Sequence, residues 1–485
     1  MCKRKQIGAS GCAAAPLGST PGEHMDRRSS TRPLASGHRF LVRRMEYALI
    51  CRDTRMLDDP IRSQSLALAA GAVLTAIALG ICVALSVVTP RGTIGSARIV
   101  IARESGEVYV RVGDTLHPAL NLASARLIAR TPATPVLVSA ESIATAQRGP
   151  SMGIPGAPAT LPASASAAGA AWTVCDGEVT TVIVGAALDD GPAAPLLVRA
   201  VGESAAAVYL LFDGRRAAVD LRDRPVVRAL RLERVEPLPI SPALLNLVPE
   251  VDALTAPMID GAGRPGPPQL PASTVGTVLQ VRRTGAVPDH YVVLAGGVQR
   301  IGQVAADLIR FAVHQGNRVQ TVPADRIADV PVVESLPLDH FPRAAAVPAG
   351  ADLTAQVCVR WVPGAVGAAP EVTVSVRKSL PPQLQPVSLA QADGEGPRID
   401  AVVNTDGAYV RATGAAGAGA AAGPLFLVDR AGVAYAIDDE QSATSLGMPE
   451  NAGSGPWPVL ALLPRGPALG VARASVQRDA VTAPA

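Results

Sequence analysis

Gly149-Pro150-Ser151-Met152-Gly153 is the stretch of this 485-residue chain whose spelling matches a catalytic motif, Gly-x-Ser-x-Gly. A serine in that setting is a nucleophile when a strand precedes it and a helix follows, because the sharp turn between them lifts its Oγ clear of the sheet. Here Pro150 precedes the serine, and Ile154-Pro155-Gly156-Ala157-Pro158 follows it. Two prolines in five residues exclude a helix, so the stretch reads as a rigid turn. A phosphate-binding loop needs Gly-x4-Gly-Lys-Ser/Thr, with the lysine on the phosphates. The lysines are Lys3, Lys5 and Lys378, and Lys378 stands in SVRKSL without the glycines. His117, His290, His314 and His340 have neither metal-ligand spacing nor a neighbouring cysteine. Asp289-His290 and Asp339-His340 are adjacent pairs, and sequence adjacency does not build a proton relay. These residue types therefore predict no catalytic residue, no metal site and no cofactor.

The six cysteines divide by region. Cys2, Cys12 and Cys51 come early, Cys82 lies in a long apolar run, and Cys175 and Cys358 belong to the large remainder. An isolated, widely separated pair fits one disulfide in an oxidising compartment; two buried free thiols are the alternative. Joined, the pair would close a loop of about 180 residues and stabilise the chain by several kcal/mol.

The elements that must position these residues start at the apolar run, residues 66–88. No charge occurs between Arg62 and Arg91. A bilayer core of about 30 Å needs roughly 20 apolar residues in a helix, and this run supplies them. Thr75 and Ser86 are too few to make the polar stripe of a soluble helix. The chain is predicted to cross a membrane once. Residues 1–65 hold 12 Lys/Arg against 6 Asp/Glu, a net of +6, and residues 89–485 a net of −3. A basic short tail favours the cytoplasmic side, which puts the larger part outside. That net −3, with aromatics at 3 %, disfavours nucleic-acid binding.

Residues 1–37 read as disordered. Residues 38–62 read as an amphipathic helix, with Leu41, Met45, Ala48 and Leu49 on one face and Arg39, Arg43, Arg44, Arg52 and Arg55 around the rest. Asp58, Asp59 and Pro60 would break it. Such a helix suits anionic membrane lipids or a protein partner. Within the apolar run, Ala72, Ala76, Gly80 and Ala84 recur every fourth residue, a spacing that lets helices approach closely.

Beyond the run one pattern recurs four times: a β-like stretch around Tyr109, Tyr209, Tyr291 or Phe426, a tight turn, a second stretch and a short helix. The turns are Gly113-Asp114, Asp213-Gly214, Gly296-Gly297 and Ala431-Gly432. Units this small must pack on one another. The predicted fold is therefore α+β: a transmembrane helix, then an elongated domain of four repeat modules around a β-rich centre, pseudo-two-fold and tied by one disulfide. The modules fall at 97–131, 196–245, 275–320 and 416–470. Insert 132–195 carries Cys175, insert 321–415 carries Cys358, and 471–485 reads as a disordered tail.

The run from Ser36, SGHRFLVRRMEYALICRDTRMLDDPIRSQSLALAAGAVL, and the run ARESGEVYVRVGDTLHPALNLASARLIA resemble the EccB family of type VII (ESX) secretion systems of mycobacteria and related actinobacteria. So do RGPSMGIPGAP (148–158), WTVCDG (172–177), VCVRWVPG (357–364) and LLPRGPALG (462–470). The resemblance implies a structural subunit of an inner-membrane secretion complex. Its expected partners are EccC, EccD and EccE-type subunits, the mycosin protease and further copies of itself. It implies a cytosolic N-terminal helix, a periplasmic domain of four repeats, and a bond joining Cys175 to Cys358. Two alternatives accompany it: a nucleotide-hydrolysing ATPase subunit of the same system, and an independent membrane-anchored peptidoglycan-binding protein.

Overall fold

The computed structural model describes residues 32–51, 60–88 and 94–479, except 163–170, 187, 189–190, 203–206, 283–286, 313–318, 366, 391–398, 405 and 419–421. The chain divides into two units, 1–90 and 91–485.

The first unit holds two helices, Arg32–Cys51 and Pro60–Val88. The first starts before the predicted residue 38, taking in six residues expected to be disordered. Pro33 sits in its opening turn, where the missing N–H costs nothing. For the same reason Pro60 opens the second helix instead of merely ending the first, so helix extends into the predicted 38–62 segment from both sides. Arg52 and Arg55 lie outside the described residues. Within the second helix, Leu66–Ala84 has a mean hydropathy of 2.5, long and apolar enough to cross a membrane.

In the second unit, four sheets share one topology. The first has the antiparallel strands Ile99–Ala102, Val108–Val112 and Thr115–Ala119, then helix Leu122–Ala129, then strand Val136–Val138 parallel to the opening one. The second repeats this with Leu196–Ala200, Val208–Phe212, Arg215–Val219, helix Arg224–Ala229 and Leu238–Ile240. The third has Val278–Val281, Asp289–Leu294, Gly297–Ile301, helix Gln303–Ala312 and Gln320–Val322. The fourth has Ala408–Thr413, Leu425–Val428, Ala434–Ile437, helix Glu440–Leu446 and Gly453–Pro456. In every case the four strands lie in the order third, second, first, last. Asp213 (φ 46°) and Gly214 (φ 69°) both take the left-handed conformation that a two-residue hairpin demands, which explains the Asp-Gly spelling there.

The third hairpin turns at Ala295-Gly296, one residue before the predicted Gly296-Gly297, and some outer strands fall beyond the predicted ranges. Val136–Val138 and Ala408–Thr413 lie outside the predicted ranges 97–131 and 416–470. Gly453-Ser454-Gly455-Pro456 has no strand propensity and is held extended by pairing with residues 410–413. The C-terminal segment is also more ordered than predicted: Val471–Ala474 is helical and Gln477–Arg478 pairs with Ser151–Met152. Arg478 Nε donates to the Gly153 carbonyl at 3.1 Å and anchors that end.

A six-stranded sheet joins the two inserts. Trp172–Asp176 and Thr180–Val184 come from the first, and Gln356–Val362, Glu371–Arg377, Val387–Ser388 and Ala401–Val403 from the second. One face of this sheet buries Trp172 and Trp361 against Leu196, Val198 and Leu244 of the second module and Val410, Phe426 and Val459 of the fourth. The first module packs on the fourth through Leu127 and Leu446, and Arg126 Nη1 donates to the Leu446 carbonyl at 2.8 Å. The third packs on the second through Val304 and Leu308 against Leu210 and Ala229. Packing thus runs first, fourth, centre, second, third, which differs from chain order.

Candidate functional site

Ser151 belongs to a two-residue strand, and its Oγ donates to the Arg478 carbonyl at 2.7 Å. Nδ1 of the buried His117 lies 2.9 Å from the Pro150 carbonyl. A Cβ at Gly149 would fall 2.2 Å from His117 Cε1, so a glycine there lets the backbone lie on the imidazole. Downstream, Ser124 Oγ accepts from the Ile154 N–H at 2.9 Å and Asn121 Nδ2 donates to the Ile154 carbonyl at 2.8 Å. The segment is a strap over the first module, and its Gly-x-Ser-x-Gly spelling serves packing. Ser151→Ala is expected to cost only about 1 kcal/mol of stability, the worth of one hydrogen bond. Gly149→Ala should cost about 1–3 kcal/mol, because the ring must move. Denaturant titration of the two variants should give that order.

Among the described residues no three His, Cys, Asp or Glu side chains converge as metal ligands. Burial and the neighbouring Asp429 carboxylate push the Tyr435 hydroxyl up to about 12, so it stays a neutral donor at physiological pH. The chemistry the structure does bring together is the cysteine pair. Cys175 and Cys358 stand directly opposite on neighbouring antiparallel strands, bonded, with Cα atoms 4.1 Å apart. That spacing is the close pair of an antiparallel ladder, whose side chains approach each other. Both residues are buried, with Ile183, Leu188 and Val403 around them. Three residues along, Trp172 opposes Trp361. An odd offset puts the tryptophans on the other face of the sheet. Their indole N–H groups donate to the Ser454 carbonyl at 3.2 Å and the Ala415 carbonyl at 2.9 Å, both in the fourth module's neighbourhood.

Beside Cys175, Asp176 is a group sequence reasoning passed over. Its Oδ2 accepts from the Ser241 N–H at 2.6 Å and its Oδ1 from Ser241 Oγ at 2.8 Å. Burial pushes its pKa up, and hydrogen bonds from Ser241 and Thr180 pull against that. The available signal was an acid ending the buried strand in WTVCDG. Also missed was the stack on the fourth module, where Arg465 Cζ lies 5.2 Å from the ring centroids of both Phe426 and Trp457.

In the first unit, Arg39 and Arg44 are exposed, as are Leu41, Met45 and Leu49, and Arg43 lies on the same helix. Ala72, Ala76, Gly80 and Ala84 are all exposed, and a Cβ at Gly80 would meet nothing within 4 Å.

Residues 27–483 match the family described as type VII secretion system ESX-1, transport TM domain B. The ESX-3 secretion system ATPase EccB3 of Mycolicibacterium smegmatis is 36 % identical over 493 residues, covering 96 % of this chain and 94 % of that protein. The ESX-2 secretion system ATPase EccB2 of Mycobacterium tuberculosis is 35 % identical over 482 residues, covering 93 % and 96 %. A chain in the structure of an intact ESX-5 inner membrane complex superposes with TM-score 0.68 at 29 % identity, covering 96 % of this chain and 98 % of that one. The structure of an EccB3 dimer from the ESX-3 core complex gives TM-score 0.66 at 32 % identity, with 78 % and 100 % coverage. A disulfide-bridged sheet, one membrane-length helix and end-to-end similarity at this level place the chain in the EccB family of type VII (ESX) secretion systems.

Proposed function

We propose that this chain is a membrane-anchored structural subunit of a type VII secretion complex, acting by assembly. The observation that carries the reading is the match to a chain of an intact ESX-5 inner membrane complex over 96 % of the sequence. In this reading the Arg32–Cys51 helix is cytoplasmic and residues 94–479 lie across the membrane. The +6 tail and the buried disulfide of the large unit support that orientation. EccC, EccD and EccE-type subunits and the mycosin protease are its proposed partners, and a second copy of the chain its proposed neighbour. Arg39, Arg43, Arg44, Arg52 and Arg55 meet lipid headgroups or a partner, and Ala72, Ala76, Gly80 and Ala84 face another membrane helix. The shared strand order supports reading the four sheets as repeats of one unit. The packing order, with the second and fourth modules on the centre, supports a pseudo-two-fold axis through the bridged sheet.

Purification from membranes through a tag on Ala485 should bring down a large assembly. Deletion of residues 32–51 is expected to abolish that co-purification while leaving the large unit folded; an intact assembly would refute the docking role. The word ATPase in the relatives' names defines the competing reading. ATP turnover by the purified full-length chain, lost in a point-mutant series, would favour it.

A further inference from the structure

In each module the edge of the third strand is strapped by a later stretch of the chain. The first contact is common to all four: the N–H of Leu116 donates to the Gln147 carbonyl, that of Arg216 to Pro249, that of Val298 to Pro331 and that of Ala434 to Pro464, at 2.8–2.9 Å. Two residues on, the third module departs from the others. The Ala218 carbonyl accepts from the Leu254 N–H at 3.0 Å, and the Ala436 carbonyl from the Leu469 N–H at 2.7 Å. In the first module Met152 pairs beside Ala119, and its carbonyl accepts from the Leu120 N–H at 3.0 Å. The equivalent residue of the third module is Arg300. It stands opposite Tyr291 as Val298 stands opposite Val293, so its N–H and C=O both point off the edge. Among the described residues neither group finds a partner. The Arg300 guanidinium is taken by Asp289 of the neighbouring strand.

A longer strap accounts for the difference. It passes from Gly149 to Met152 in the first module and from Gly466 to Leu469 in the fourth. In the third it runs from Val333 to Arg343 before rejoining, where the Gln303 N–H meets the Arg343 carbonyl at 2.9 Å. The extra residues arch around a cavity of about 670 Å³, lined by residues 299–302 and 332–343. A second cavity of about 410 Å³ shares Asp339, Phe341 and Arg343 with the first and reaches Phe212 and Arg215 of the second module. The arch is held in shape. Gln299 Oε1 accepts from the Ser335 and Leu336 N–H groups at 3.0 and 2.9 Å, and Nε2 donates to the Leu336 carbonyl at 2.8 Å. Leu336, Leu338 and Phe341 pack into the core shared by the second and third modules. A groove pinned in this way is ready for a ligand without further ordering.

The charges lining it are mixed, Arg215 and Arg343 against Glu334 and Asp339, and select no one sign. What stands unmet is backbone: a carbonyl and an N–H on one strand edge, beside an open slot. Extended polypeptide supplies partners for both, and it is what fills this place in the other modules. We propose that the edge at Arg300 is a docking slot for an extended segment of a partner polypeptide. The segment enters parallel to strand Gly297–Ile301, as the straps of the other modules run parallel to theirs. One of its N–H groups meets the Arg300 carbonyl, which excludes proline at that place, while the flanking side chains are loosely specified. The proposal concerns the single chain and does not rest on the secretion role.

The test titrates full-length protein in detergent with a fluorescein-labelled, end-blocked peptide of residues 249–255, PEVDALT. That strap makes this contact in the second module through Leu254. Saturable binding below about 1 mM is expected. Methylating the Leu254 nitrogen of the peptide removes the donor and should weaken binding about fivefold, the worth of one hydrogen bond. Amide exchange over residues 299–302 should slow at saturation, because the peptide gives the Arg300 N–H an acceptor. Ser335→Trp, at an exposed position lining the cavity, should abolish binding without moving the thermal midpoint. Glu334→Trp takes its place if that variant does not fold. Absence of saturable binding, equal affinity of the methylated peptide or unchanged exchange would each overturn the slot. Self-association of the chain that Ser335→Trp removes would put a second copy there and overturn the partner assignment.

Discussion

Replacing Cys175 and Cys358 together by alanine is expected to lower the unfolding free energy of the central sheet by about 5 kcal/mol. The bond spans 183 residues, and in the chain-entropy account a loop of that length loses about that much denatured-state freedom when closed. The two cysteines face each other at close-pair positions of neighbouring strands, so the native state needs no rearrangement to accommodate the bond. The effect therefore acts mainly on the unfolded chain. Denaturant titration followed by tryptophan emission reads it well, because two of the three tryptophans, Trp172 and Trp361, lie in the bridged sheet. The oxidised wild type should unfold at clearly higher denaturant than the variant, and reductant added after unfolding should erase the gap on refolding. Equal midpoints would show that strand pairing alone holds the two inserts together.

Trp361→Ala is expected to cost about 3–5 kcal/mol, the range for emptying a buried aromatic site. Trp361 is 1 % exposed and sits where the central sheet, the second module and the fourth module meet. Its loss leaves a cavity that three elements would have to close together, and it strips the Ala415 carbonyl of its donor. Trp361→Phe keeps most of the apolar volume but not the N–H, so its loss should be smaller, with the hydrogen bond worth about 1 kcal/mol of it. Circular dichroism on denaturant titration distinguishes the two. Equal losses would mean that the indole N–H, not the packing, holds the junction.

The membrane helix was legible because it is a property of one contiguous run: length and apolarity suffice, and Leu66–Ala84 meets both. Hairpins were legible for a similar reason, since turn chemistry and alternating strands lie within about 20 residues, but the third turn sits one residue early and the fourth is a five-residue loop, 429–433. The strands that open and close each module were not. Gly453–Pro456 is a strand only because residues 410–413 offer it a ladder, and nothing local announces that. The order of the C-terminal segment escaped for the same reason. Gln477–Arg478 finds its partner more than 300 residues upstream, at Ser151–Met152. The Gly-x-Ser-x-Gly stretch was read as a rigid turn from its prolines, and its serine lies in a short strand bonded to Arg478. What its glycine does, lying flat on His117, needed the fold.

The sequence by itself determined the long apolar helix, the charge asymmetry, the separated cysteine pair and the local hairpin signals, because each follows from composition or from spacing between near neighbours. Only the tertiary structure decided that the two inserts form one sheet, with the sulfurs on one face and the tryptophans on the other. It alone packed the first module on the fourth and the third on the second, and turned Asp176 toward Ser241. Those outcomes depend on contacts between segments tens to hundreds of residues apart. Loop closure makes such contacts costly one at a time, and they form because together they bury apolar surface that no single unit can cover.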